Sequence, residues 1–462
     1  MSTFRAKIYK LPPEILARAF DLLSDLADII RAAHVCQQWR PLAYSAFAFS
    51  RHIVLNSSAL STLDFAYFRL SCGGQCILRL SVNVPTVDRL VETEILPFIA
   101  AALPRARILY INIDTIYRLQ LEKVLSLPAP NLRDFRLEYV ATPLPDIPLT
   151  MPLTPDLFAG EAAQLRMVVL KNVILPRTAI LAFRYAEQLN WVHSTWSLQA
   201  EFPCYLFDFF PNLKRLVLLG GGMEFRNAPL PPHIIDLLLR LDAFFIEFYE
   251  RFFPGFFHHL PMDKMRNVIV SDSDEDTVYA ALTPLRSPFD LSIYAPASDR
   301  EFFITVRGKD PQLVRHFAEG AKYYTPGSEL TNALLENGEF ADQLRSFLIQ
   351  TSLWAMLIPW LPPFHVLPVL IVEIDDPKPT NAALPVEPLP CPGLTALVLQ
   401  ANYDFAYVAV RDVLDFADRI TTERVNLELR RVLLDGPRVM IDARFNTVTY
   451  YEERYVTTQH PL

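Results

Sequence analysis

One six-residue pattern constrains the fold of this 462-residue chain more than anything else in it. Apolar residues hold the first, fourth and sixth places of Leu132–Phe135–Leu137, Leu165–Val168–Leu170, Leu213–Leu216–Leu218 and Leu394–Leu397–Leu399. Weaker copies begin at Gln75, Ala106, Leu189, Met265, Pro288, Val366 and Thr422, and six of the intervals between neighbouring copies are 23–28 residues. The last two apolar places alternate as on a strand with one buried face. Each interval has room for one short strand and one returning helix or extended piece. Neither buries its apolar face alone, so units of this length stack and share a core. Pro-Asn-Leu precedes two copies, at residues 130–132 and 211–213. Thirteen glycines against 38 prolines suit an array punctuated by rigid turns. The pattern is clear from 75 to 220 and from 388 to 430, and poor from 296 to 365. Helical spacing is expected over 87–102, 178–187 and 234–252. In the last of these Phe244, Phe245, Phe248, Tyr249, Phe252 and Phe253 form an aromatic stripe assigned to core. The Pro-rich stretch 376–392 reads as a loop within the array.

The first 55 residues follow another rule. Leu11-Pro12-Pro13-Glu14-Ile15-Leu16 opens a helix, with proline in the first turn and Glu14 at its positive end. Ile15, Leu16, Ala19, Phe20 and Leu23 continue at helical spacing. A second helix starts after Ser24 or Asp25 and carries Leu26, Ile29, Ile30 and Ala33 on one side. Val35-Cys36-Gln37-Gln38-Trp39-Arg40 follows, Pro41 opens a further helix toward Phe47, and Arg51–Leu55 reads as a strand.

This ordered set closely resembles an F-box. The resemblance covers residues 4–55 and implies a packed helical module that docks on the Skp-type adaptor of a Skp–cullin–F-box ubiquitin ligase. Carried over by position, it implies adaptor contacts at Leu11, Pro12, Ile15, Leu16, Phe20, Leu23, Val35, Cys36 and Trp39. In so small a bundle Phe20, Leu23 and Trp39 are equally candidates for the module's own core. Ala19 and His34 depart from the usual pattern, where a bulkier aliphatic and a small polar residue are expected. Residues 56–462 resemble the divergent leucine-rich-repeat regions that follow F-boxes in fungal proteins. The implied fold class is α+β to α/β repeat: a helical F-box and an irregular repeat solenoid that binds a target.

Composition narrows the function classes. Hydrophobic residues at 51% and charged residues at 20% supply a large core and exclude disorder as the dominant state. A net charge of −8 gives no whole-chain footprint for nucleic acid. Five scattered cysteines point to a reducing compartment, cytoplasm or nucleus, and the first residues show no apolar signal segment. Residues 346–372 carry no charge, long enough for a membrane span. Pro359, Pro362, Pro363 and Pro368 would leave backbone groups unpaired in lipid, so a buried helix–turn–strand is expected instead. No nucleotide-binding glycine loop or nucleophile elbow is present, and Gly220-Gly221-Gly222 reads as a turn. Cys72 and Cys76 lack a second ligand pair, and His258-His259 lacks a metalloprotease context. Asp272, Asp274 and Asp276 alternate like a calcium loop, but Thr277 and Thr283 replace its glycine and glutamate, which leaves a solvated acidic loop. The expectation is a non-catalytic subunit without cofactor or metal.

Between the apolar places of the repeats, the outward places hold Arg107, Arg133, Arg136, Arg166, Lys171, Lys214 and Arg215, against Asp134 and Glu138. Tyr110 and Trp191 are expected on outward places too. A basic strip dotted with aromatics suits an acidic or phosphorylated target, and a one-residue slip would turn every side chain the other way. The alternative role for such a chain is a scaffold held by the adaptor outside the ligase.

Overall fold

The computed structural model describes residues 11–23, 25–140, 152–193, 202–221, 230–249, 260–271, 275–295, 301–320, 338–361, 363–375, 382–402 and 405–451. The chain divides into two compact units. One comprises residues 1–195 and 203–219, the other 196–202 and 220–462.

The first unit begins with four helices, α1 (Pro13–Asp21), α2 (Leu26–Val35), α3 (Trp39–Ser45) and α4 (Phe47–Arg51). Pro13 occupies the first turn of α1, and the Asp25 carboxylate accepts the Ala27 N–H at 2.9 Å to start α2. Leu16, Phe20, Ile29, Ala33 and Phe49 form the buried centre of this bundle. The chain then alternates strand and helix as far as β4, after which, among the described residues, only short helical turns separate the strands: β1 (His52–Leu55), α5 (Leu60–Cys72), β2 (Leu78–Val84), α6 (Leu96–Ala102), β3 (Ala106–Asp114), α7 (Arg118–Leu125), β4 (Asp134–Val140), β5 (Met167–Lys171), β6 (Gln188–His193) and β7 (Arg215–Gly221). Each strand from β1 to β6 pairs in parallel with the next. The backbone N–H groups of Lys214 and Arg215 reach the Glu187 carbonyl at 2.8 and 3.0 Å, which brings β7 to the side of β6. Before α6 the turn widens into a π-helix at Val91–Ile95, where Pro97 has no N–H to give.

The second unit holds β8 (Ala243–Tyr249), β9 (Asn267–Ser271), β10 (Phe289–Tyr294), β11 (Glu301–Arg307), β12 (Val314–Gly320), β13 (Leu344–Gln350), β14 (Val369–Ile374), β15 (Ala396–Ala401), β17 (Asn426–Arg430) and β19 (Val448–Tyr451). Pairing is parallel between β8, β9 and β12, and along β10, β13, β14, β15, β17 and β19. It is antiparallel between β10, β11 and β12. A two-stranded parallel pair, β16 (Ala406–Ala409) with β18 (Val432–Asp435), lies apart. Polar groups in this core are matched in place. Gln350 and Gln400 donate to the buried Glu373 carboxylate at 2.8 Å each, on adjacent strands in register. Arg315, fully buried, gives its guanidinium to the carbonyls of Met262, Met265, Ala281 and Val314.

Every copy of the six-residue pattern coincides with a strand, yet two were read in the wrong register. In β6 the buried residues are Leu189 and Trp191, so the copy begins at Ala186, not Leu189. In β14 Leu367, Leu370 and Val372 are buried while Val366 is 57% exposed, so that copy begins one residue later. The helix expected over 234–252 is confined to Pro232–Leu238. The aromatic run beyond it is β8, with Phe244 and Ile246 fully buried. Aromatic and Ile-rich runs suit a strand, and burial on both faces hides its alternation. Of the helix expected at 178–187 only a 3-10 turn, Leu181–Phe183, forms. The expected helix over 87–102 is present from residue 89 onward. The uncharged 346–372 segment is the end of β13, a helix Thr351–Leu357, a turn and the start of β14. No helix of the described residues is long and apolar enough to cross a membrane. The weak pattern after 296 coincides with the antiparallel β10–β11–β12 meander, which needs no crossover helix.

Candidate functional site

The N-terminal helices sort their apolar residues into two faces. Leu16 and Phe20, 3% and 4% exposed, point into the bundle, where the Phe20 ring meets Trp39 edge-on at 5.2 Å. Leu11, Ile15, Ala19 and Leu22 stand on the opposite side, all exposed, and Ile15 and Leu22 expose 50% and 86% of their surface. Their spacing of four, four and three residues is one stripe of a helix. Pro12 and Val35 are exposed as well. The arrangement is a folded module that keeps a row of large aliphatics in water, which marks an interaction face.

This geometry corrects part of the expected adaptor set. Leu16 and Phe20 are core residues, because a helix two turns long needs its i and i+4 apolar pair to hold α2 and α3. Leu23, Cys36 and Trp39 are half-buried, and Leu23 and Trp39 pack against the same core. Leu22, not singled out in the sequence, shares the exposed face. It occupies the C-cap of α1, and only its 86% exposure distinguishes it from Leu23 beside it.

The bundle is fixed to the sheet of its unit by a buried arginine that donates to backbone carbonyls. Arg69 on α5 is 5% exposed and donates from Nε to the Phe49 carbonyl at 2.7 Å and from Nη2 to that of His52 at 2.5 Å. Its guanidinium also lies over the Phe49 and Phe65 rings at 5.6 and 5.7 Å, and burial pushes its pKa down to about 10. Asp21 Oδ1 accepts the Phe47 N–H at 2.8 Å, which ties the end of α1 to the start of α4. Gly73 allows α5 to close on Ser50: a Cβ there would lie 2.6 Å from the Ser50 Cβ.

The outward places of the strands are more nearly neutral than their arginine count suggested. Arg107, Arg133, Arg136 and Lys214 are exposed, and Tyr110, Arg166, Lys171 and Arg215 half-buried. Glu138 takes Lys171 at 2.5 Å and the Tyr110 hydroxyl at 3.2 Å. Glu187, overlooked in the sequence count, takes Lys214 at 2.9 Å and lies 3.8 Å from Arg166. The Lys214 bond holds its carboxyl below the usual carboxylate range. Trp191 is not on the outer face. It is 1% exposed and its Nε1 donates to the Val173 carbonyl at 2.7 Å. Counting its repeat from Leu189 instead of Ala186 is a shift of three, and an odd shift exchanges the faces of a strand.

Of the other motifs, Gly220 and Gly221 end β7, whereas Gly222, Asp272, Asp274, His258 and His259 lie outside the described residues. Among the described residues no group of three His, Cys, Asp or Glu side chains could hold a metal ion.

Comparison with known families assigns residues 8–56 to an F-box-like domain. No curated protein matches the chain. The matched span is α1 to β1, so the exposed aliphatic stripe belongs to the F-box-like domain. Such a domain points to a protein that binds a Skp-family adaptor in the setting of a ubiquitin ligase. F-box proteins are generally non-catalytic subunits.

Proposed function

We propose that this chain is the substrate-recognition subunit of a Skp–cullin–F-box ubiquitin ligase. The observation that carries the reading is the aliphatic stripe Leu11–Ile15–Leu22 on the F-box-like module, with Pro12 and Val35 exposed beside it. The Skp-family adaptor covers these residues and brings the cullin with it. Residues 56–462 form a divergent leucine-rich-repeat-like region that holds a protein target. Support for that comes from strands β1 to β6, which pair in parallel in chain order over short intervals. The contribution to ubiquitination is positional. A target lysine held near the activated ubiquitin reacts at a raised effective concentration, and no residue of this chain need touch the bond that forms. Five free cysteines fit a reducing site of action, cytoplasm or nucleus.

Co-purification of the tagged chain tests the reading. Recovery of adaptor and cullin together supports the ligase subunit. Recovery of adaptor without cullin supports a scaffold held outside the ligase. Recovery of neither defeats both.

A further inference from the structure

At the amino-terminal ends of the strands in the first unit, basic side chains from separate segments stand in a row. Arg133 N–H donates to the Arg107 carbonyl, Arg166 N–H to that of Arg133, Glu187 N–H to that of Arg166 and Lys214 N–H to that of Glu187, each at 2.8 Å. These five residues therefore share one rung across neighbouring strands. On the other side Arg79 pairs with Ile108, the residue after Arg107. Glu187 neutralises one half of the row through Arg166 and Lys214. The other half, Arg79, Arg107 and Arg133, is exposed, and only Arg133 of the three lies near enough to Glu187 to help hold its carboxyl down.

These three arginines line a cleft of about 960 Å³ together with Arg51 and the apolar side chains of Phe47 and Ile77. Phe47 and Ile77 are each 42% exposed. Arg51 adds a fourth cation to the lining, against the two carboxylates of Asp21 and Asp134. The cleft thus offers surplus positive charge beside exposed apolar side chains.

The spacing selects a ligand. Neighbouring strands lie about 4.8 Å apart, so the three arginines, on three successive strands, span about 10 Å. Alternate side chains of an extended peptide lie about 6.7 Å apart on one face, with the intervening side chain on the other. An extended segment that alternates acidic and apolar side chains presents charge to the arginines and an apolar group to Phe47 or Ile77. Single-stranded nucleic acid fits less well. It needs ring faces for its bases, and the cleft offers the His52 imidazole and the Phe47 ring, which already carries the Arg51 guanidinium at 5.3 Å.

We propose that this cleft binds an extended acidic segment of the target protein, in which carboxylates or a phosphate alternate with a large apolar side chain. The acidic groups meet Arg79, Arg107 and Arg133, and the apolar side chain meets Phe47 and Ile77, while Leu22 at the cleft's edge stays with the adaptor face. The proposal rests on the receptor reading above and gives it a target chemistry.

Fluorescence anisotropy of the full chain with labelled peptides tests it. The probes are a short peptide alternating Glu with Leu, the same peptide with phosphoserine for one Glu, versions with Ala for Leu or Lys for Glu, and an oligothymidine. The Glu/Leu peptide or its phosphoserine form is expected to bind, and to weaken as salt shortens the screening length from about 10 Å at 0.1 M. Combined Arg79→Glu, Arg107→Glu and Arg133→Glu is expected to cut affinity at least tenfold. Ile77→Ser or the Ala probe should cut it several-fold, and Glu187→Gln should raise it by freeing Arg166. All three arginines are exposed, so circular dichroism and adaptor co-purification should stay unchanged in the reversed variant. Unchanged binding after charge reversal, salt-independent binding, silence of both acidic peptides, or preference for oligothymidine each overturns the proposal. Peptide binding without adaptor recovery would defeat the ligase reading and leave the cleft standing.

Discussion

Arg69→Met tests whether the F-box-like bundle is locked to its sheet by one buried guanidinium. The side chain is 5% exposed and supplies both the Phe49 and His52 carbonyls. Hydrogen bonds from a charged donor are each worth about 1.5–3 kcal/mol. Two of them, plus about 0.5–1 kcal/mol for the stacking over Phe49 and Phe65, set the gross loss near 4–7 kcal/mol. Part is returned, because burying a cation with no carboxylate beside it costs a few kcal/mol and methionine still fills the stem's volume. The net expectation is a destabilisation of about 2–4 kcal/mol, read by urea unfolding. In a unit near 200 residues this lowers Tm by roughly 4–16 °C at about 2–4 °C per kcal/mol. Arg69→Lys should fall between, since one ammonium cannot span both carbonyls as the planar fork does. A methionine variant within about 0.5 kcal/mol of the wild type, or a lysine variant equal to it, refutes the reasoning.

Two further outcomes follow from neighbouring residues with opposite surroundings and from a buried thiol. Ile15→Ser with Leu22→Ser should leave the unfolding transition in place and weaken adaptor binding by about 2–4 kcal/mol, roughly 30- to several-hundred-fold, from the exposed aliphatic surface a partner would cover. Leu16→Ala, one residue from Ile15, should instead destabilise the bundle by about 2–5 kcal/mol in the isolated chain. Equal effects of the two changes on unfolding would remove the distinction between faces. Burial pushes the Cys391 thiol up to about 12 from the ordinary 9.0. Above pH about 9 the unfolded chain has released that proton and the native chain retains it. Stability should therefore fall as pH rises, by up to about 1.4 kcal/mol per pH unit for this group, and Cys391→Ala should flatten the slope. A thiol reagent should reach Cys391 only on unfolding, and rapid labelling of the native protein there would contradict its burial.

How far the fold could be read in advance differs from segment to segment. The helices of the first 55 residues and the strands β2 to β7 follow local rules: a proline-led helix start, an Asp25 cap, apolar residues at fixed spacing. Those rules act within about one turn or one strand, so the chain itself carries them. Which side of α1 meets the bundle is another matter. Ile15 and Leu16 are chemically alike, and only the position of α2 and α3 made one core and the other surface. The same holds for Trp191, whose side of the sheet depended on a register that Ala186 conceals by being small. In β8 and β11 burial on both faces erased the alternation, and in β10–β12 antiparallel pairing replaced the repeat's crossover. The cleft is the clearest case. Sequence analysis could place Arg107 and Arg133 on outward positions, but Arg79 joined them, and Glu187 removed Arg166 from them, only through pairing between strands. Composition and spacing determined what each segment is. Which charges face one another was decided by strand order, because side chains 20–30 residues apart become neighbours only when the backbone hydrogen bonds of a sheet bring them within a few ångströms.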